Sequence, residues 1–504
     1  MKKLLIIEII AAVLFLSFLV VSVGLLSRSI HSMNTSNDHI QTKGVKGNTL
    51  KIQMGNLQGD FSPLEYQGET EENLLSLCFD NLLLRDEKGR AAEMGNTTWK
   101  KGEVTFAHIT SRKEQDGSSY VTICVNPEKK TPDGRKVTGR DVIFNYYLRL
   151  DASSGLPDCF SGAEIAGAKE YTYGSSDVAG RQKEIDQLVL SPSQELKKGI
   201  QEEIILPELQ REYLWVQGLY QDEKYQFITS KYTQPKDLFA YYYAFQTTYR
   251  SESRTEAQVM QDIAAQYGAN YIALGKVTER DYSEQVKRMA LGEILKQKEK
   301  DTVSSVSGIR LVDEHTVEIH LLSGENVAEK VCDFWILPLN VYGEEKSFNG
   351  ETSFGFQKGQ AHRIVSLAQE KYRGTGAYYM TQKKKNKIFL KKNSHYQSKV
   401  ETEKVEIIRK CYEKQEDVVN AILKEQLDMA VTGEDASLER LLKSRGTGAA
   451  HRIKKIKMLS DNLEECVLYR TDYVNATTLP HKKQTIRGIF SELYKIKTNT
   501  TSIQ

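Results

Sequence analysis

The first segment of the chain has a continuous apolar pattern. After two lysines, the run Leu4–Leu26 is interrupted by a single charge, Glu8. About 20 apolar residues are enough for a helix that spans a bilayer, and the run lacks the small-residue exit that follows a cleaved signal peptide. We therefore expect residues 1–26 to form an uncleaved signal anchor, with a cleaved signal peptide as the alternative. The lysines favour a cytoplasmic N-terminus with the body outside, and the polar residues 27–48 are typical of a tether.

Beyond residue 48, short stretches that alternate apolar and polar positions are separated by stretches with helical spacing. The stretches that predict single strands are Thr49–Met54, Tyr120–Val125, Lys404–Arg409, Leu427–Val431 and Cys466–Tyr469. Two further stretches, Gly308–Leu322 and Gly374–Lys392, predict hairpins because turn residues lie between their apolar runs. A helix at Glu416–Lys424 would connect two of the strands, and this strand–helix–strand order predicts the α/β class.

Helical spacing also marks individual segments of the body. Glu71–Leu84 predicts a helix, and Ile486–Tyr494 predicts the start of another. Thr138 precedes an apolar run, and Asp141 lies three residues after Thr138. This is the spacing of a capping box, so we expect a helix to begin just after Thr138. Residues 180–304 are rich in Glu, Gln, Lys and Tyr and predict a helical insertion between the strand-rich parts.

Composition limits the function. The chain has 504 residues, with 69 Lys and Arg against 67 Asp and Glu, which argues against a nucleic-acid binder that works through a basic field. A mean hydropathy of -0.49 excludes a protein with many membrane spans. The six cysteines are far apart and lack a C-x-x-C pair. We interpret them mainly as small buried hydrophobes, with a structural disulfide as the alternative.

Searches for chemical motifs give no catalytic constellation. The sequence contains no P-loop, no H-E-x-x-H and no G-x-S-x-G. The triplets Gly374–Gly376 and Gly446–Gly448 are weak evidence for phosphate binding and more typical of tight turns. No metal and no cofactor are expected, and an exported hydrolase lacks a visible nucleophile and base. Binding or transport without chemistry is therefore the default hypothesis.

Motifs in a fixed order along the body carry a resemblance. They are LKIQMGNLQGDFSPLEY from Leu50, LLSLCFDNLLLRDEKGR from Leu74, DGRKVTGRDVIFNYY from Asp133, AEIAGAKEY from Ala163, VSGIRLVDEHTVEIHL from Val306, GTGAYYMTQ from Gly374 and AILKEQLDMAV from Ala421. In this order the body resembles the extracellular solute-binding proteins of family 5, which serve peptide and nickel ABC importers. The resemblance covers residues 49–180 and 305–475.

The resemblance implies a fold and a division into domains. The implied fold is lobe I of a type II periplasmic binding protein, with mixed sheets and flanking helices over residues 49–480, interrupted by the helical insertion. Residues 481–504 would be a remnant of the start of lobe II, and lobe II itself would be largely absent. Ala377 and Gln426 depart mildly from the family pattern. Because such proteins enclose their ligand between two lobes, weakened ligand binding is the expectation for the chain as written.

The resemblance also implies a function and partners. The implied function is that of the substrate-binding component of a peptide importer, with oligopeptides as ligands and ABC permease subunits as membrane partners. Candidate ligand-facing residues are Phe61, Pro63 and Tyr66 in the first loop, although packing within the loop would explain them equally. The alternative is a truncated copy that acts as a membrane-anchored protein-interaction module. A nickel complex or another solute remains open as the ligand.

Overall fold

A computed structural model describes most of the body. The described residues are 49–54, 62–65, 69–83, 98–156, 160, 162–220, 225–245, 249–251, 253–297, 301–323, 327–384, 387–397, 404–408, 414–433, 436–444, 453–457 and 465–470. The predicted signal anchor, the tether, Phe61, Tyr66 and the predicted helix at Ile486–Tyr494 lie outside them. None of the helices within the described ranges is long and apolar enough to cross a membrane.

The fold is a mixed α/β fold with two sheets. The strands are β1 Thr49–Gln53, β2 Ala107–Lys113, β3 Ser119–Val125, β4 Ile309–Leu311, β5 Thr316–Leu321, β6 Tyr378–Lys384, β7 Lys387–Lys392, β8 Lys404–Ile408, β9 Met429–Gly433, β10 Ile453–Lys457 and β11 Glu465–Arg470. One sheet has the order β10-β11-β9-β1-β8-β7-β6, and the other has the order β2-β3-β5-β4. The α/β class predicted from the alternating pattern is confirmed.

The helices surround and interrupt these sheets. They are α1 Glu69–Cys78, α2 Gly139–Leu150, α3 Ala168–Tyr173, α4 Val178–Leu190, α5 Gln194–Ile200, α6 Leu206–Leu219, α7 Gln226–Thr229, α8 Pro235–Tyr243, α9 Glu256–Tyr267, α10 Tyr271–Thr278, α11 Ser283–Leu295, α12 Val327–Cys332, α13 Leu339–Tyr342, α14 Ala361–Glu370, α15 Gln415–Leu423 and α16 Ala436–Ser444. A π-helical turn, Gln201–Ile205, joins α5 to α6, and 3-10 turns lie at Ala152–Ser154 and Glu345–Ser347.

Strand β1 lies at the centre of the larger sheet. It pairs in parallel with β8 on one side and with β9 on the other. Its side chains Leu50 and Ile52, which lie on one face, are buried, whereas Thr49 and Lys51 on the other face are half-buried. The predicted strand–helix–strand unit is therefore present, but its two strands do not touch each other because the first strand of the body separates them.

The smaller sheet is antiparallel and buries one face. Strand β3 alternates buried and half-buried positions along its whole length, which is the period expected when one face packs on the core. Strands β4 and β5 pair across the turn that includes Asp313, so the predicted hairpin is confirmed. Helix α2 packs on both strands of that hairpin. Its predicted capping box is present, with Asp141 accepting from the backbone of Thr138 at 2.7 Å.

Two helix boundaries differ from the pattern-based prediction. Helix α1 ends at Cys78 instead of Leu84, because the following backbone pairs with a distant segment: Leu82 donates to Phe334, and Ile336 donates to Asp80. Within the helical insertion, the spacing of Ala290–Glu299 also predicts a helix, and the structure has this helix begin earlier, at Ser283, and end at Leu295. The strand–helix pattern alone also missed β2, β10, α14 and α16.

The helices of residues 178–297, called here the helical body, have their own hydrophobic core. Its largest side chains are buried aromatics such as Phe239, Tyr243 and Tyr267, and most of its members lie between Ile185 and Leu291. A separate hydrophobic cluster spans both sheets. The helical body therefore has a hydrophobic core of its own, separate from that of the sheets.

Candidate functional site: a polar cleft beside the helical body

A cleft of about 860 Å³ lies where the helical body meets the sheet-containing part. This volume is within the usual range of small-molecule sites. Its lining consists of Glu65, Asp151–Gly155, Glu195, Leu196, Gly199, Glu203, Gln285, Arg288, Met289, Gly292, Glu293, Leu295, Lys296, Asp301, Gln357–Gln360, His362, Val365, Ser366 and Gln369. One wall, from the helical body, comes from α5, the π-helical turn and α11. The other wall comes from Glu65 of the first loop, the 3-10 turn after α2, Asp301, the loop before α14 and α14 itself.

Among residues 62–65, the described part of the first loop, Glu65 lines the cleft, a residue that the sequence did not single out. Ser62 and Glu65 exchange backbone hydrogen bonds at 3.0 and 3.1 Å, which closes a tight turn. Pro63 is buried within that turn, so it packs the loop and is absent from the lining of the cleft. Glu65 is solvent-exposed and lines the cleft. Desolvation by the surrounding atoms raises the pKa of Glu65, and the charge of Arg211 opposes that change.

Asp151 fixes the geometry of one wall. Its carboxylate accepts from the Ser153 backbone at 2.9 Å and from the Ser153 hydroxyl at 2.6 Å. Its other oxygen accepts from Gly359 at 2.8 Å, on the loop before α14. Gly359 has φ +83°, a left-handed conformation that favours glycine. Burial raises the pKa of Asp151, against the hydrogen bonds from Ser153 and Gly359.

Lys358, on the loop before α14, connects this wall to Asp301 and Val303. Its ammonium lies 2.6 Å from the Asp301 carboxylate and 2.7 Å from the Val303 carbonyl. It also lies 4.2 Å from the centre of the Tyr171 ring. Desolvation lowers the pKa of Lys358, and Asp301 opposes that change. The charge of Lys358 is therefore already compensated within the protein.

The helical wall is held by polar contacts between α5 and α11. Glu195 and Lys296 form an ion pair. The Ser193 hydroxyl donates to Glu293 at 2.8 Å, and Arg288 donates to the carbonyl of Leu156, shortly after the 3-10 turn. These contacts keep the two helices and the 3-10 turn at a fixed separation.

The G-T-G triplet has a structural role. A Cβ added to Gly374 or Gly376 would lie 2.5–2.6 Å from backbone atoms of α1, so only glycine permits this close approach. The Thr375 hydroxyl donates to Asp80 at 2.7 Å, and Asp80 forms a buried ion pair with Lys129. The triplet joins β6 to the end of α1 and lies outside the lining of the cleft.

The described residues contain no group of three or more His, Cys, Asp or Glu side chains arranged to hold a metal ion. Within the described part of the chain, Cys78, Cys124 and Cys332 form no disulfide. Burial raises the pKa of the Cys78 thiol strongly, so this thiol is an unreactive hydrophobe.

Comparison with known proteins gives one curated relative. The probable peptide-binding protein YejA of Agrobacterium fabrum is 27% identical over 139 residues, which is 27% of this chain and 21% of that protein. The chain resembles the family 5 solute-binding proteins. No protein-family model matches the sequence.

Solved structures of solute-binding proteins are also similar to this chain. Lactococcal OppA, complexed with an endogenous peptide in its closed conformation, has a TM-score of 0.42 at 11% identity, over 82% of this chain and 49% of that one. The periplasmic oligopeptide-binding protein OppAIV of Borrelia burgdorferi has a TM-score of 0.39 at 13% identity, over 81% and 51%. The chain therefore spans about half the length of these solute-binding proteins and about a fifth of the curated relative.

Proposed function

We propose that this chain belongs to the substrate-binding component of a peptide ABC importer and captures oligopeptides without chemistry. The identity with a peptide-binding protein is the observation that carries the proposal. The ordered motifs support it, because the resemblance that they carry is to solute-binding proteins of peptide and nickel importers. The cleft supports it as well, because it offers polar and apolar lining together and an opening to solvent.

The same proposal includes the location and the domain organisation. We place residues 1–26 in the membrane as an anchor and the body on the extracytoplasmic side, where an importer receives its ligand. Residues 49–480 then form lobe I of the binding protein, with the helical body as an insertion. The permease subunits are the expected membrane partners. Protease added to intact cells should degrade the body; protection of the body until the cells are lysed would contradict this location.

A thermal-shift measurement tests the peptide-binding function. The purified full chain is melted with and without a mixture of short peptides. A ligand present at about 100 times its Kd adds roughly 2.7 kcal/mol to the stability of the folded state, which raises the melting temperature measurably. If peptides leave the melting temperature unchanged and a nickel–histidine complex raises it, the result would contradict peptide binding and indicate another solute as the ligand.

Exposed apolar residues on the helical body favour the second function, a membrane-anchored protein-interaction module. They are Leu190, Leu214, Trp215, Phe227, Tyr241, Phe245, Ile272 and Val277. Contiguous exposed apolar surface marks interfaces between proteins, and Leu214 and Trp215 are adjacent exposed apolar residues of α6. Crosslinking in native membranes should then give a product that the paired substitution Leu214→Asp and Trp215→Asp abolishes. An unchanged product would contradict this second function.

A further inference from the structure

The cleft has an excess of negative charge. Its lining contains six carboxylates, from Glu65, Asp151, Glu195, Glu203, Glu293 and Asp301, against three cations, from Arg288, Lys296 and Lys358. The net formal charge of the lining is therefore negative by three when His362 is neutral. A cavity lined mainly by one sign of charge raises the local concentration of ligands of the opposite sign.

Most of this charge is already engaged within the protein. Lys296 is paired with Glu195, and Lys358 is paired with Asp301. Asp151 accepts hydrogen bonds at both oxygens. Glu293 accepts a hydrogen bond from Ser193. Such groups hold the walls together and have little capacity left for a ligand.

Two carboxylates remain for a ligand, one on each wall. Glu203, on the π-helical turn, is exposed and has no hydrogen-bond or ion-pair partner within the described part of the chain. Glu65, on the first loop, has one charged neighbour, Arg211. Arg211 itself donates to Glu208 at 2.7 Å and also neighbours Glu212, so its charge is shared among three acids. A ligand lying between the walls can therefore contact one carboxylate from the first loop and one from the helical body.

We propose that Glu65 and Glu203 give this cleft a preference for ligands that carry alkylammonium groups. The inference rests on the proposed function insofar as the ligand is a peptide, whose lysine side chains supply these groups. A free polyamine has the same chemistry and is distinguished from a peptide in the experiment below. The helical body thus supplies one of the two specificity-determining residues of the site.

Calorimetric titration of the full chain tests the preference with four probes: trilysine, trialanine, triglutamate and spermidine. Trilysine should bind about tenfold more tightly than trialanine at low salt, because each exposed charge pair contributes up to about 1 kcal/mol. Triglutamate should bind most weakly. High salt should reduce the difference between trilysine and trialanine, since exposed charge pairs are screened.

Paired substitution identifies the residues. Glu65→Gln with Glu203→Gln should weaken trilysine binding about tenfold and leave trialanine binding within about twofold. The matched control is Glu202→Gln, which removes an exposed carboxylate one residue away that pairs with Lys198 and does not line the cleft. The control substitution should leave the affinities for trilysine and trialanine unchanged. Melting temperatures of all variants verify that the chain remains folded.

The outcomes separate this inference from the proposed function. Equal binding of trilysine and trialanine, or a paired variant that behaves like the Glu202→Gln control, would overturn the inference and leave peptide binding intact. Spermidine binding that requires both carboxylates, without binding of any peptide, would support the charge preference and overturn peptide capture. Failure of all four probes to bind would overturn both.

Discussion

The ammonium of Lys129 lies 2.6 Å from the carboxylate of Asp80, and the two side chains are 0% and 4% exposed. Thr375 donates to the same carboxylate oxygen at 2.7 Å, and the Tyr396 ring lies 5.3 Å from the ammonium. This pair joins the end of α1, the turn before α2 and the G-T-G triplet. Three segments that are far apart in the sequence therefore depend on one buried charge pair.

Removal of one partner of this pair should destabilise the protein strongly. Asp80→Ala leaves the Lys129 ammonium buried without its counter-charge, which costs about 3–5 kcal/mol of unfolding free energy. The control is Lys387→Gln, which breaks an ion pair of the same 2.6 Å length in which the lysine is 46% exposed, and it should cost at most about 1 kcal/mol. Urea unfolding of both variants measures the difference. Equal losses would show that burial of the Lys129 pair has no special importance.

The glycines of the G-T-G triplet should not tolerate alanine. In Gly376→Ala the new methyl group would lie 2.6 Å from backbone atoms of Leu77 and Cys78, so one of the two backbones must move, at a cost of about 1–3 kcal/mol. The control, Gly218→Ala, lies in α6 with no atom within 4 Å of the new methyl group. It should be neutral or stabilise the protein by up to about 1 kcal/mol. Melting temperatures that fall equally for both variants would contradict this.

Phe239 should be essential to the helical body. It is fully buried, and its ring lies 5.2 Å from Tyr213 and 4.8 Å from Tyr243. Phe239→Ala should cost about 3–5 kcal/mol. Amide hydrogen exchange should accelerate in α6 and α8 more than in the sheets, because the helical body has its own core.

The control for this experiment is Phe227→Ala, at a residue that is 62% exposed. It should change stability by at most about 0.5 kcal/mol. Uniform acceleration of exchange in the helical body and both sheets of the Phe239→Ala variant would show that they unfold as one unit.

Glu212 should make the stability of the helical body dependent on pH. Burial raises the pKa of Glu212 from 4.5, and the carboxylate of Glu208 raises it further against the hydrogen bond that Tyr243 donates. The folded state therefore binds a proton more readily than the unfolded state. In the pH range between 4.5 and the raised pKa, the contribution of Glu212 to the free energy of unfolding therefore increases as the pH falls and decreases as the pH rises.

Melting temperatures across the mildly acidic range test this dependence. Glu212→Gln should flatten the pH profile of the helical body relative to the unmodified chain, and it should stabilise the protein near neutral pH. A variant profile parallel to that of the unmodified chain would assign the dependence to another group. The Glu202→Gln variant serves as the control, since that carboxylate is exposed.

The sequence by itself determined the local elements. Alternation predicted β3 and the β4–β5 hairpin because one face of that sheet is buried, and the spacing of Thr138 and Asp141 predicted the start of α2 because the capping box involves only neighbouring residues. The prediction from the apolar pattern was wrong where backbone hydrogen bonds to a distant segment of the chain end a helix. Helix α1 stops at Cys78 because the residues after it pair with Phe334 and Ile336.

The tertiary structure alone decided the topology and the site. Parallel pairing placed β1 between β8 and β9, and no local pattern encodes which strands become neighbours. Pro63 proved to be buried, whereas Glu65 two residues later lines the cleft, because the turn between Ser62 and Glu65 directs these side chains to different surroundings. Glu203 lines a cleft that forms because α11 packs on α5 and on the 3-10 turn Ala152–Ser154, which in turn packs on α14. A cleft formed by segments this far apart in the chain depends on packing, which periodicity in a single sequence does not record.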